Sequence, residues 1–408
     1  RHHTFRLALL AGALATFPLA AGAATATPDS SAAKMGDLLI RRIDMDNPAA
    51  LQAWAEGIIA PTMPADDKAA FVRELVVANQ DSGGLDIVEH RTDPRQPGLL
   101  QLAVKGRRDG RRGLFILRMD PKRHDTLARG DLVPMDDPDL YASWPKGAVS
   151  AARIAELVRA AVDRLAAADA FSGCVTVKAS GAVLVNECRG MAERSFAAPI
   201  DDRTRFHIGS IGKMFTAVAI AQLVESGKRS GETTRAQALP EYPDRQRANR
   251  ITLWQLLHHT AGLGDFMVDE YFQHRERYID PADYLGLIAR QPVTGEPGKQ
   301  WSYSNAGYVL LGRIVEKASH ESYDDYIQHH VFAAAGMVSS GLDRMDDVTP
   351  DLATGYYRDG VFSREWKASW LKLGAQRGPA RGGCSHNIDL IALATAFHDG
   401  QLIMAAPL

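Results

Sequence analysis

The 408-residue chain is 46% hydrophobic and 24% charged, with a formal net charge of −2 and a pI near 6.7. That balance describes a globular chain with apolar residues enough for two or three cores, and it excludes the strongly basic footprint of a nucleic-acid binder. Three cysteines, Cys174, Cys188 and Cys384, are too few for a disulfide framework.

Residues 1–26 read as a secretory signal peptide: Arg1 and Arg6 precede an apolar run over 7–20, and Ala21-Gly22-Ala23 or Ala24-Thr25-Ala26 offers a small-residue cleavage site. A periplasmic or secreted location is expected, with no integral membrane span after signal removal, because no later run approaches ~20 apolar residues. Residues 35–132 form a predicted small α+β module. Asn47-Pro48 starts one helix through about residue 59, Pro64 starts another through about 79, and strands are expected near 85–89, 99–104 and 114–118. The connection 105–113 carries Arg107, Arg108, Arg111 and Arg112 and is expected to be a solvated hairpin. Asp120, His124 and Asp125 read as turn and surface residues.

A Pro- and Asp-rich linker follows over 133–149, and Ser150 can cap a helix over 151–168. Two strands, 173–179 and 182–188, flank Ser180-Gly181. A two-residue hairpin loop makes Ala179 face Ala182, which sets Cys174 opposite Glu187. Cys174 and Cys188 are therefore expected as free, packed thiols. Cys384 has no base arranged around it beyond His386, so it is not expected to be a nucleophile.

The most informative segment is Phe206-His207-Ile208-Gly209-Ser210-Ile211-Gly212-Lys213, which opens a stretch of helically spaced apolar residues ending at Gly227. Ser210 stands at the mouth of that helix, and Lys213 lies one turn on, within reach of its hydroxyl. A serine needs such an adjacent base to act as a nucleophile. Farther along, Ile251 to Leu263 ends a helical stretch in a glycine turn, and Tyr303 and Asn305 follow Pro297-Gly298.

Together these segments resemble the serine hydrolase family of the class C β-lactamases, penicillin-binding DD-peptidases and related esterases, collinearly from about residue 168 onward. The resemblance implies that Ser210 is acylated, that Lys213 takes part in proton transfer and that Tyr303 is general base or relay. It also implies that Asn305 binds the substrate amide or orders the lysine. A tyrosine serves as a base only beside positive charge, which Lys213 would supply; which of the two takes the serine proton stays open. The implied fold is α+β: an antiparallel sheet with a helical subdomain over 150–408, preceded by the small module.

No metal or organic cofactor is required. His258 and His259, like His329 and His330, are neighbours whose side chains diverge by about 100° on a helix and cannot share a metal; His258 and His259 are expected to serve the loop beneath the cleft. Trp301 reads as a packing residue, or as one that lines the pocket beside Tyr303. Gly382 to Leu390 resembles a scaffold turn and helix of the family, with His386 and Asn387 where small residues are usual. A third motif should follow the helix expected over 389–402 by several tens of residues, and the sequence ends at Leu408. The hydrolase domain is therefore expected to be incomplete at its C-terminus and catalytically impaired. Small esters, amides and β-lactams are the candidate substrates, with ester hydrolysis favoured over DD-peptidase or β-lactamase action. A non-catalytic penicillin-binding or cell-wall-peptide-sensing protein is the alternative of another class.

Overall fold

The computed structural model describes residues 31–404, apart from 93–94, 97, 124, 136–139, 141, 245–247, 345–346 and 371–377. The signal peptide and His124 lie outside the described residues. The chain divides into two compact units. One holds the N-terminal residues through Ser143 together with Arg358–Lys367, and the other holds Trp144–Tyr357 and Ala368–Leu408.

The first unit packs three helices, Ser31–Met45 (α1), Pro48–Ile58 (α2) and Ala65–Asp81 (α3), with a four-stranded antiparallel meander. Its strands are Leu85–Thr92 (β1), Leu99–Gly106 (β2), Arg112–Met119 (β3) and Leu127–Met135 (β4), in sequential order. Asn47 caps α2 by accepting the Ala50 N–H at 2.9 Å, and Pro48 occupies the first helical position, where its missing N–H has no consequence. Buried Leu100, Leu102 and Val104 alternate along β2, as do Phe115 and Leu117 on β3, so one sheet face supplies the core.

Three expectations are corrected here. β4 runs through the point where the linker was placed; it is an edge strand, which tolerates Pro134, and a bulge at Ala128 breaks the alternation between buried Leu127 and Leu132. α1 also precedes the expected start of the module. The arginine-rich connection is the expected hairpin, with Arg107, Arg108 and Asp109 exposed, but its arginines are engaged rather than merely solvated. Arg107 pairs with Asp44 and Asp86, and Arg108 donates to the Asp81 carbonyl. Arg111 donates to the carbonyls of Val361 at 3.0 Å, Phe362 at 2.8 Å and Ser363 at 2.8 Å. Phe362, fully buried, completes the core of this unit.

The second unit opens with helix Ala151–Ala167 (α4), capped by Ser150, and the hairpin Gly173–Ala179 (β5) and Ala182–Arg189 (β6). The expected register holds only at the loop. After Ala179↔Ala182 and Lys178↔Val183, Val177 pairs with Val185, so Leu184 is an inserted bulge residue. Every pair beyond it shifts by one. Cys174 therefore faces Cys188, and the two form a disulfide rather than the free thiols expected. Short strands Met191–Glu193 (β7), Ala198–Pro199 (β8) and Phe206–His207 (β9) lead to helix Lys213–Glu225 (α5). α5 is buried around most of its circumference, with Phe215, Ala219, Ile220 and Leu223 in the large helical core. β9 pairs with Cys384–Ser385, which brings the turn Gly378–Gly382 against the start of α5.

Candidate active site

Ser210 lies on the single 3₁₀ turn Gly209–Gly212 between β9 and α5. Gly209 enters that turn at φ 53°, a left-handed conformation suited to glycine. In a 3₁₀ turn residues i and i+3 eclipse. The Lys213 ammonium accordingly reaches the Ser210 hydroxyl at 3.2 Å, with Ser210 exposed and Lys213 buried.

Tyr303 precedes the helix Asn305–Ser319, whose cap is Ser304, accepting the Gly307 N–H at 3.1 Å. Its hydroxyl donates to Ser210 Oγ at 2.7 Å. His259 positions this segment: its ring packs 4.6 Å from that of Tyr303, and its Nδ1 accepts the Ser304 N–H at 3.1 Å. Only an unprotonated Nδ1 accepts a hydrogen bond. Burial, followed by the charges of Lys213 and His258, lowers the His259 pKa and keeps the ring neutral.

Lys213 Nζ meets three oxygens: Ser210 Oγ, Asn305 Oδ1 at 2.9 Å and the Ala380 carbonyl. The Asn305 amide cannot invert freely, because its Nδ2 donates to Asp265 Oδ2 at 3.0 Å and a carboxylate only accepts. Its oxygen must then face the lysine. A charged lysine spends its three N–H donors on these three acceptors. A neutral one keeps two N–H bonds to the acceptor-only carbonyls and turns its lone pair to Ser210. Burial lowers the Lys213 pKa, favouring that neutral state, while Tyr303 and Asp265 act in the opposite direction.

Two proton arrangements satisfy every bond. Either neutral Lys213 accepts from Ser210 while Tyr303 donates to it, or charged Lys213 donates to Ser210 while a tyrosinate accepts. In each, one member of the Lys213–Tyr303 pair is unprotonated and able to take the Ser210 proton, and the other donates to Oγ.

The structure thus brings Ser210, Lys213, Tyr303 and Asn305 together. Sequence reasoning missed Asp265 and the Ala380 carbonyl. Asp265 had a faint signal, standing after Gly262-Leu263-Gly264 at the end of a block already singled out; a backbone carbonyl has none. Trp301 is exposed and contacts His259 edge-on at 6.1 Å. Cys384 lies apart, buried, with its Sγ 2.6 Å from Asp343, and burial followed by that carboxylate pushes its thiol up to about 12. Among the described residues, no group of three or more His, Cys, Asp or Glu side chains could hold a metal, and no helix is long and apolar enough to cross a membrane.

A sequence profile described as Beta-lactamase matches residues 154–407. The chain belongs to the β-lactamase family. Relatives in that family include Penicillin-binding protein 4* of Bacillus subtilis (strain 168), 34% identical over 171 residues, which are 41% of this chain and 37% of the relative. Esterase EstB of Burkholderia gladioli is 27% identical over 226 residues, 52% of this chain and 57% of the esterase. The crystal structure of a penicillin-binding protein from Bacillus halodurans superimposes with a TM-score of 0.52 at 30% identity, covering 60% of this chain and 76% of that one. The chain spans between about a third and three fifths of the length of these two curated β-lactamase-family relatives.

Proposed function

We propose that this protein is an exported serine hydrolase that works through an acyl-enzyme on Ser210. The observation that carries the reading is the placement of Ser210 Oγ between Tyr303 at 2.7 Å and Lys213 at 3.2 Å. In acylation, the Ser210 proton passes to the Lys213–Tyr303 pair as Oγ bonds to the substrate carbonyl carbon. The carbonyl π electrons move onto oxygen, beside the N–H groups of the first helical turn, which have no partner within the helix. Collapse of that intermediate expels the alcohol oxygen, and the pair returns the proton to it. Water then repeats the sequence on the ester carbon, with Ser210 Oγ as leaving group. Asn305, Asp265 and the Ala380 carbonyl hold the lysine in place.

Esters are the favoured substrates, with D-alanyl peptides and β-lactams as alternatives that share the acylation step. Support comes from relatives that include both an esterase and a penicillin-binding protein. A periplasmic or secreted location accords with the N-terminal signal-like segment and with the Cys174–Cys188 disulfide, a bond typical of oxidising compartments.

A fluorophosphonate probe should add its mass to the peptide carrying Ser210, and p-nitrophenyl butyrate should be hydrolysed faster than a chromogenic cephalosporin. Labelling that survives Ser210→Ala removes the assignment. A second reading, a penicillin-binding protein without turnover, is favoured by the 34% identity to Penicillin-binding protein 4*; stoichiometric penicillin labelling with no ester turnover selects it.

A further inference from the structure

The segment that carries Tyr303 is pinned at three points along the turn that holds His259 and Thr260. Gly298 N–H donates to the Thr260 carbonyl at 2.7 Å, Ser302 N–H to the His259 carbonyl at 2.8 Å, and Ser304 N–H to His259 Nδ1 at 3.1 Å. Two of these bonds end on His259, one on its backbone and one on its ring, and they bracket Tyr303. Successive side chains of an extended stretch turn to opposite sides. Burial follows that alternation here, with Trp301 and Tyr303 exposed and Ser304 buried.

The His259 ring is itself held in place. It packs 4.6 Å from the ring of Tyr303 and 5.1 Å from that of Tyr308, and the Tyr308 hydroxyl donates to the Leu257 carbonyl at 3.1 Å. The titratable groups that face it are Lys213 from α5, His258 from its own turn, Tyr303 from the pinned segment and Tyr308 from the helix Asn305–Ser319. Among the described residues no carboxylate pairs with it. An imidazolium carries a proton on both nitrogens and accepts no hydrogen bond. Protonation of His259 would therefore set two N–H groups against each other and strip a buried amide of its partner. The bond that fails is the one directly after Tyr303, whose hydroxyl stands 2.7 Å from Ser210 Oγ.

Resting on the proposed acyl-enzyme reading, we infer that His259 is a positioning residue that must be unprotonated for Ser210 to be acylated, so that the reaction carries an ionisation outside the Lys213–Tyr303 pair. Neutral His259, with its proton on Nε2, holds Tyr303 against Ser210; the imidazolium releases it. Burial, followed by the charges of Lys213 and His258, keeps the neutral form to lower pH than in an ordinary histidine. As pH falls through that lowered value the ring takes up a proton, and acylation is lost in addition to the loss from protonating the Lys213–Tyr303 pair.

The test follows the second-order rate of Ser210 labelling by an uncharged fluorophosphonate on the full chain, over the pH range in which circular dichroism shows the fold intact. His259→Asn is the decisive variant. His259 has φ 58°, a left-handed conformation that asparagine adopts readily, and the asparagine Oδ1 can replace Nδ1 as acceptor without titrating. In wild type the rate should fall by about tenfold per pH unit where one ionisation is crossed and by about a hundredfold below both. In His259→Asn the steeper limb should be missing, and His259→Ala, with no acceptor, should label more slowly than His259→Asn above that limb. Nitrogen NMR of histidine-labelled wild type, with His259 assigned from its ring contacts to Tyr303 and Tyr308, should show a bare Nδ1 at neutral pH and its protonation where the limb steepens. Equal acid limbs in wild type and His259→Asn, or a proton on Nδ1 at neutral pH, overturn this inference and leave the hydrolase reading standing. If wild type is not labelled at any pH, both fall together.

Discussion

Lys213 is the residue on which the candidate site turns, since an amine buried among three oxygens is costly to charge and useful when neutral. Its pKa is lowered by burial in the folded state, while in the unfolded chain it titrates near the ordinary lysine value. Between those two values the unfolded state binds more protons, so the stability of the wild-type protein rises with pH across that window. Lys213→Met lacks this dependence. The melting temperature of wild type minus that of the variant should therefore increase from pH 7 to pH 10, followed by circular dichroism, and a flat difference would show that Lys213 is not held with a depressed pKa. Asp265 acts one bond farther out. Asp265→Asn offers a donor as well as an acceptor to the Asn305 amide, which is then free to present its NH₂ to the lysine. Labelling of Ser210 should slow by roughly tenfold, the loss of about one well-placed hydrogen bond; an unchanged rate would mean that something other than Asp265 sets the amide.

At the level of elements, the caps and periodicities were readable: Asn47 and Ser150 start helices where their side chains can accept backbone N–H groups, and the Ser210–Lys213 spacing pointed to one helical turn. Local physics writes such features into neighbouring residues. The β5–β6 register was not readable, because nothing in Ala182-Val183-Leu184-Val185 marks Leu184 as the residue that bulges. Tertiary packing made that choice, and it decided the fate of two cysteines. Cross-linking residues 14 apart in sequence restricts the unfolded hairpin, and removing such a bridge costs about 2–4 kcal/mol. Cys188→Ser should lower stability by that order in urea unfolding. Thiol counting under denaturing, non-reducing conditions should find only Cys384 free; three reactive thiols would contradict the pairing. Asp265 and Ala380 escaped the sequence for a related reason: their partners lie 40 and 167 positions away, and one of them contributes only backbone.

On the scale of the whole molecule, the N-terminal unit is not contiguous, for it includes Arg358–Lys367. Arg111 gathers three successive carbonyls of that segment, Glu74 accepts the Val361 N–H at 3.2 Å, and Phe362 enters the core. Nothing in the sequence of 358–367 announces this, because the capture depends on groups some 250 positions upstream. Arg111→Met should destabilise the unit by about 1–3 kcal/mol, and Phe362→Ala by about 3–5 kcal/mol. Hydrogen exchange should then speed up at 361–363 while the amides of α5 keep their protection; unchanged exchange at 361–363 in Arg111→Met would show that the guanidinium is not what holds the segment. The same arrangement sets an order of events during synthesis. The residues of α1 to β4 leave the ribosome first, yet the aromatic side chain that fills their core is translated more than two hundred residues later, and closing so long a loop is slow. The module that emerges first is completed only after most of the second unit has been made.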